Sequence, residues 1–118
     1  MRTSFIVAAA AAILVSSVGT MFAQESPPNW CSTVKNKNPA EQTVCATKSL
    51  WHADDQLNLS YAFAYDRLSA AQKKILAASQ ADWLKQTRNG CKTDVDCLAK
   101  EMQYRSDTLD DINTRGKL

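Results

Sequence analysis

Leu50-Trp51-His52-Ala53-Asp54-Asp55-Gln56-Leu57-Asn58-Leu59-Ser60-Tyr61-Ala62-Phe63-Ala64-Tyr65-Asp66-Arg67-Leu68 is the stretch that decides the fold class. Leu50, Ala53, Leu57, Tyr61, Ala64 and Leu68 recur at steps of three and four, which lays one apolar stripe along about five turns of helix. A half-buried strand would alternate with a period of two, and no segment of this chain sustains that alternation. A helix with a single apolar stripe needs a cover, so the flanking segments are read as its partners.

Downstream, Ser69 reads as a helix cap with Gln72 in the capping-box position. A helix is expected from Ala70 to Arg88, with Leu76, Ser79 or Gln80, Trp83 and Thr87 along one face and Ile75 and Leu84 beside it. The break at Ser69 is short, so these two helices are expected to fold back on each other as an antiparallel hairpin. Asn89-Gly90 reads as the stop, since both residues tolerate a left-handed backbone. A last helix is expected to begin near Asp94 to Asp96, where acidic side chains favour a helix N-terminus. It carries Leu98, Met102, Arg105 and Leu109 and would cover the hairpin seam. Asp110 to Leu118 is polar and is expected to fray. Upstream, Asn38-Pro39-Ala40-Glu41 joins a capping residue, a proline at the first helical position and a glutamate able to bond back. That short helix would run through Val44 and Cys45, and Thr47 or Ser49 would cap the next. Gln24 to Trp30, with Pro27-Pro28, reads as an extended lead-in. The fold class is all-α: a small helical hairpin or bundle of three to four helices.

Residues 1–23 read as a cleavable secretion signal. Arg2 supplies the positive start, Ile6 to Val15 the apolar segment, and polar Ser16, Ser17 and Thr20 follow before a cut after Ala23. The apolar run is too short to span a bilayer, and Cys31 lies too far along to carry a lipid. The expected product is periplasmic or secreted, with no membrane anchor. It would be a single helical domain over 24–118 whose core spans 31–109. At about 95 residues it is one domain that buries only about 60–65% of its unfolded surface, so covalent staples are useful.

The chain holds four cysteines, Cys31, Cys45, Cys91 and Cys97. An even number in a short exported protein reads as two disulfides. Cys31/Cys45 and Cys91/Cys97 each bracket a loop, and these local pairs are favoured. The rival is cross-pairing, because a helix hairpin would also bring Cys45 near Cys91. Metal or redox chemistry is disfavoured: there is no C-x-x-C, and His52 is the one histidine.

The formal charge of +2 is spread over interspersed signs, with no basic stripe for nucleic acid. His52 beside Asp54 and Asp55 suggests acid–base chemistry, but no nucleophile motif or phosphate loop accompanies it. The chain is therefore read as a non-enzyme with no catalytic residues, no metal and no cofactor. Asn58-Leu59-Ser60 matches a glycosylation acceptor but falls inside a helix. Trp83 and Tyr61 are expected at the seam, Gln80 to hydrogen-bond across the hairpin, and Asp54 to find a helix-terminus partner or a cation, for which Arg88 or Arg105 could serve. Trp30 and Trp51 are expected to be more exposed, as candidates for partner contact.

Taken in order, Pro39-Ala40-Glu41-Gln42-Thr43-Val44-Cys45, then Leu50, Asp54, Leu57 and Tyr61, then Gln80, Trp83, Leu84, Arg88 and Cys91, and finally Cys97-Leu98, Arg105 and Leu109 form a pattern. It resembles that of the lysozyme inhibitor LprI-like family: P-x-E-x-x-x-C, L-x-x-x-D-x-x-L-x-x-x-Y, Q-x-x-W-L and a closing C-x5-C-L. The resemblance spans Cys31 to Leu109. It implies a disulfide-stapled, exported helical domain that binds a protein partner, lysozyme or another peptidoglycan hydrolase. The alternative is a non-inhibitory periplasmic interaction module. Candidate contact residues are Lys35 and Lys37 in the first loop and Asn89, Gly90, Lys92 and Thr93 in the second.

Overall fold

The computed structural model describes residues 26–118; the expected signal segment, 1–23, lies outside them. Five α-helices follow one another, with no strand among the described residues: α1 (Trp30–Thr33), α2 (Pro39–Ala46), α3 (Lys48–Asp66), α4 (Ala70–Asp82) and α5 (Val95–Arg115). A π-helical segment (Trp83–Arg88) and a 3-10 turn (Asn89–Cys91) lead from α4 towards α5.

Most helix starts follow local chemistry. The Asn38 side chain accepts from the Glu41 amide at 2.8 Å, while Glu41 Oε1 accepts from the Asn38 amide at 3.1 Å, a complete capping box with Pro39 at the first position. Ser69 Oγ accepts from the Gln72 amide at 3.3 Å and starts α4. Asp94 Oδ1 accepts from the Cys97 amide at 3.0 Å and starts α5. Thr47 precedes α3 without a side-chain cap bond.

The core forms where α3 packs along α5. Leu50, Leu57 and Ala64 from α3 meet Leu98, Met102 and Leu109 from α5, with Ala40 and Val44 of α2 and Leu76 of α4 beside them. Each large apolar side chain so buried contributes about 1.5–3 kcal/mol. The helices α3 and α5 run parallel: Arg67, just past the end of α3, lies against Gly116, just past the end of α5. Helix α4 is the antiparallel return between them.

This modifies the expected hairpin. The short turn at Ser69 is present, but the close partner of α3 is α5, not α4. Helix α4 sends Leu76 and Gln80 inward, whereas its many alanines supply little apolar bulk. Long side chains bridge the interval instead. Arg105 of α5 donates through Nε to Gln80 Oε1 at 2.8 Å and through Nη2 to Ser79 Oγ at 3.1 Å. Lys73 sits over the Tyr65 ring at 5.2 Å. The expected bond from Gln80 thus goes to α5.

Four local readings are corrected. The third helix does not run uniformly to Arg88; its last stretch widens into the π-helical segment, and such segments turn side chains off their regular register. The segment ending at Arg88 does give way at Asn89, to the 3-10 turn, but not through a left-handed backbone: Asn89 has φ −68°, and the positive φ falls on Lys92, at 53°. The C-terminal stretch does not fray at Asp110: Ile112 is buried, and α5 ends at Arg115 with Gly116 in the left-handed conformation, its amide donating to the Ile112 carbonyl at 2.8 Å. The described end of the lead-in turns rather than staying extended, the Pro28 carbonyl accepting from the Cys31 amide at 3.0 Å as the chain enters the single helical turn at Trp30; Gln24 and Glu25 lie outside the described residues.

The two local disulfides are present, Cys31–Cys45 and Cys91–Cys97, and no cysteine is free. Cross-pairing is excluded.

Candidate functional site

Helices α1, α2 and α3 and the π-helical segment converge on a buried polar cluster. The Trp30 indole N–H donates to Asp54 Oδ2 at 2.9 Å, and Asn58 Nδ2 donates to the same oxygen at 3.1 Å. The Arg88 guanidinium lies over the Trp30 ring, 5.6 Å from its centroid, and its Nη2 pairs with Glu41 Oε2 at 3.5 Å. Arg88 Nε also donates to Asn89 Oδ1 at 3.1 Å. Val34, Leu57 and Leu84 complete the walls of a cavity of about 250 Å³ around these groups.

Burial pushes the Asp54 carboxyl above its ordinary range, against the lowering effect of the Trp30 hydrogen bond, the Arg88 charge and the Asn58 hydrogen bond; Asp55 adds a further upward push. Burial also lowers Arg88, opposed by the charges of Glu41 and Asp54. An arginine keeps its charge under such pressure. The cluster pairs groups whose burial alone would be costly. It holds no nucleophile beside a base, so its chemistry is that of a clasp that fixes the surrounding loops.

Two expectations about this cluster change. Trp30 is not a free surface tryptophan; its ring packs against the core. Asp54 is satisfied by the indole of Trp30 rather than by direct pairing with Arg88 or Arg105. The sequence signal was available in principle, since Trp30 adjoins Cys31 and the bridge to Cys45 draws it towards α3. Trp51 is also half-buried, and its indole donates to the Cys45 carbonyl at 3.2 Å. His52 and Asp55 are exposed and lie apart from the face that buries Asp54. Among the described residues no group of three or more histidine, cysteine or acidic side chains is placed to hold a metal.

Of the other pattern residues, Leu50, Leu57 and Leu109 are core, and Tyr61 and Trp83 pack against it. Gln80 and Arg105 bond to each other, with burial lowering Arg105 and raising Tyr61. These residues hold the bundle together.

The clasp sets the positions of the two stapled loops. Helix α2 packs against the 3-10 turn that leads into the Cys91–Cys97 loop. The loop before α2 and the loop before α5 therefore share one end of the molecule. Lys35, Gly90, Lys92 and Thr93 are exposed there. Lys37 and Asn89 are half-buried: Lys37 Nζ donates to the Val34 carbonyl at 2.9 Å, and Asn89 receives Arg88. Each loop carries a non-glycine residue with positive φ, Asn36 at 22° and Lys92 at 53°. Such conformations persist only where the surroundings impose them.

A protein-family model described as lysozyme inhibitor LprI matches residues 31–114. The chain belongs to the LprI lysozyme inhibitor family. No curated protein and no solved structure matches it. The LprI match begins at the first bridged cysteine and ends one residue short of the last residue of α5. It includes the clasp residues Glu41, Asp54, Asn58 and Arg88 and both stapled loops, and it leaves Trp30 immediately outside. Among the described residues no helix is long and apolar enough to cross a membrane.

Proposed function

We propose that this protein acts outside the cytoplasm as a binding protein that blocks lysozyme or a related peptidoglycan hydrolase, using the end of the molecule where the two stapled loops meet. Membership of the LprI family supports the class of partner. Two disulfides in so short a chain favour an oxidising compartment. The observation that carries the choice of surface is the pairing of two exposed lysines, Lys35 and Lys92, on loops that are each closed by a disulfide and anchored by the Glu41–Arg88 pair.

Glycoside hydrolases of this kind work with two carboxylates in a cleft. A stiff loop bearing an ammonium group and neutral donors such as Thr93 complements that cleft, and preorganisation lowers the ordering cost of docking. The protein itself performs no reaction in this reading.

Lysis of bacterial walls, followed by turbidity with purified protein against several lysozyme types, tests the proposal. Slowed lysis that weakens at least tenfold in a Lys35→Ala/Lys92→Ala variant supports it. Undiminished lysis at micromolar excess over every hydrolase tried overturns it and favours a non-inhibitory interaction module.

A further inference from the structure

The seam between α3 and α5 is not closed along its whole length. Opposite the side covered by α4, Ser49, His52, Ala53, Gln56 and Ser60 of α3 face Gln103, Ser106 and Asp110 of α5 across a groove of about 320 Å³. It opens because small residues, Ala53, Ser60 and Ser106, stand where leucine and methionine fill the neighbouring seam. Its volume is at the lower limit of ligand pockets.

Ser60 and Ser106 are 7% and 5% exposed, yet neither hydroxyl bonds to another group among the described residues. Hydroxyls elsewhere in the helices turn back to the carbonyl four residues earlier: Thr43 of α2 to Pro39 at 2.7 Å, and Thr108 and Thr114 of α5 to Tyr104 at 3.1 Å and Asp110 at 3.0 Å. No fully enclosed side-chain polar atom lacks a partner among the described residues, so the two serine oxygens open onto the groove. Gln103 Nε2 is engaged by Asp107 at 2.9 Å, which leaves its carbonyl oxygen as an acceptor.

We infer that this groove binds a neutral, hydroxyl-rich saccharide. Its walls offer hydroxyls and carboxamides, which both donate and accept. Asp110 is the one carboxylate in the lining, no lysine or arginine faces it, and Ala53 is the one apolar residue. A peptide anchored by an apolar or acidic side chain finds no counterpart there. The groove lies along the helices and is lined by none of the residues of the stapled loops, so saccharide binding and hydrolase blocking are separable.

The test is an NMR titration of the intact protein with two probes, an N-acetylglucosamine trimer and a glucose trimer. Amide shifts centred on Ser60, Gln103 and Ser106 are expected with at least one of them. Preference for the first assigns an amino-sugar chain such as wall glycan, and equal response assigns a general glycan; either supports the site. Ser60→Ala/Ser106→Ala and Gln56→Ala/Gln103→Ala, which keep the core, are each expected to weaken binding at least tenfold while leaving the lysis assay unchanged. Absence of shifts at millimolar concentrations of both probes, or binding undiminished in both variants, overturns the inference.

Discussion

The Glu41 carboxylate serves Arg88 with one oxygen and the backbone of its own helix with the other: Oε2 pairs with Arg88 Nη2 at 3.5 Å, and Oε1 accepts from the Asn38 amide at 3.1 Å. One side chain thus starts α2 and pins the π-helical segment, joining the two loops proposed to grip a partner. Glu41→Ala removes both roles and leaves a buried cation unpaired. A loss of about 2–4 kcal/mol is expected. Glu41→Gln keeps the cap and loses the charge, so its loss is expected to be about half as large. Urea unfolding of both variants checks the order; equal losses mean that the cap contributes nothing beyond the ion pair, and a Glu41→Gln variant as stable as the parent means that the ion pair contributes nothing.

Reduction is expected to separate the two bridges. Both sulfurs of Cys31–Cys45 belong to half-buried residues, whereas the second bridge has one half-buried residue, Cys97, and one buried, Cys91, at 6% exposed; thiol–disulfide exchange requires access to a sulfur, and the first bridge offers two to the second's one. Titration with a dithiol is expected to open Cys31–Cys45 first, releasing Trp30 from Asp54 and shifting its fluorescence. Cys31→Ser/Cys45→Ser is expected to cost about 3 kcal/mol in the chain-entropy model. Mass spectrometry of partially reduced, alkylated protein identifies which pair opens first.

Asp54 makes stability depend on pH in the direction opposite to that of an ordinary paired carboxylate. Its folded pKa lies above its ordinary value of 3.8, so the folded protein holds that proton more tightly than the unfolded chain does. The associated stability is fully present below the ordinary value and is lost as pH rises through the folded value. Asp54→Asn removes this dependence. The stability of the parent minus that of Asp54→Asn is therefore expected to fall as pH rises from about 4 towards neutrality. Parallel denaturation curves across that window refute the assignment.

Arg105 is the main polar tie of α4 to the bundle. Arg105→Ala leaves Gln80, 7% exposed, without its partner, at an expected cost of about 1–3 kcal/mol. Hydrogen exchange is expected to rise selectively in α4, with α3 and α5 still protected. A uniform rise over all three helices would show that α4 is not a separable element.

In the core, Leu57→Ala and Leu109→Ala each empty a site that is at most 1% exposed. Each is expected to cost about 2–5 kcal/mol. A thermal midpoint unmoved in either variant contradicts the placement of the seam.

Much of this architecture was legible in the residues. Leu50, Leu57 and Ala64 of the stripe lie on the buried face of α3, with Leu68 buried just past its end, and the capping signals at Asn38, Ser69 and Asp94 each mark a helix start. Local caps report reliably because their partners lie three residues away. What was hidden depends on contacts between distant segments. The Trp30–Asp54 bond spans 24 residues and Arg105–Gln80 spans 25, and no periodicity encodes either. The choice of α5 over α4 as the close partner of α3 follows from the alanine-rich composition of α4, which was visible but was outweighed by the shortness of the turn. The groove at Ser60 and Ser106 leaves no mark in the periodicity, because a small polar residue beside an apolar stripe does not encode the opening it makes.

Both bridges join each cysteine to its immediate successor along the chain. A polypeptide that emerges N-terminus first therefore presents Cys45 to Cys31 before either of the other two thiols arrives, which leaves Cys91 and Cys97 to each other once the first bridge has closed. Meanwhile the decisive union of α3 with α5, which neither bridge spans, is left to hydrophobic collapse once synthesis is complete.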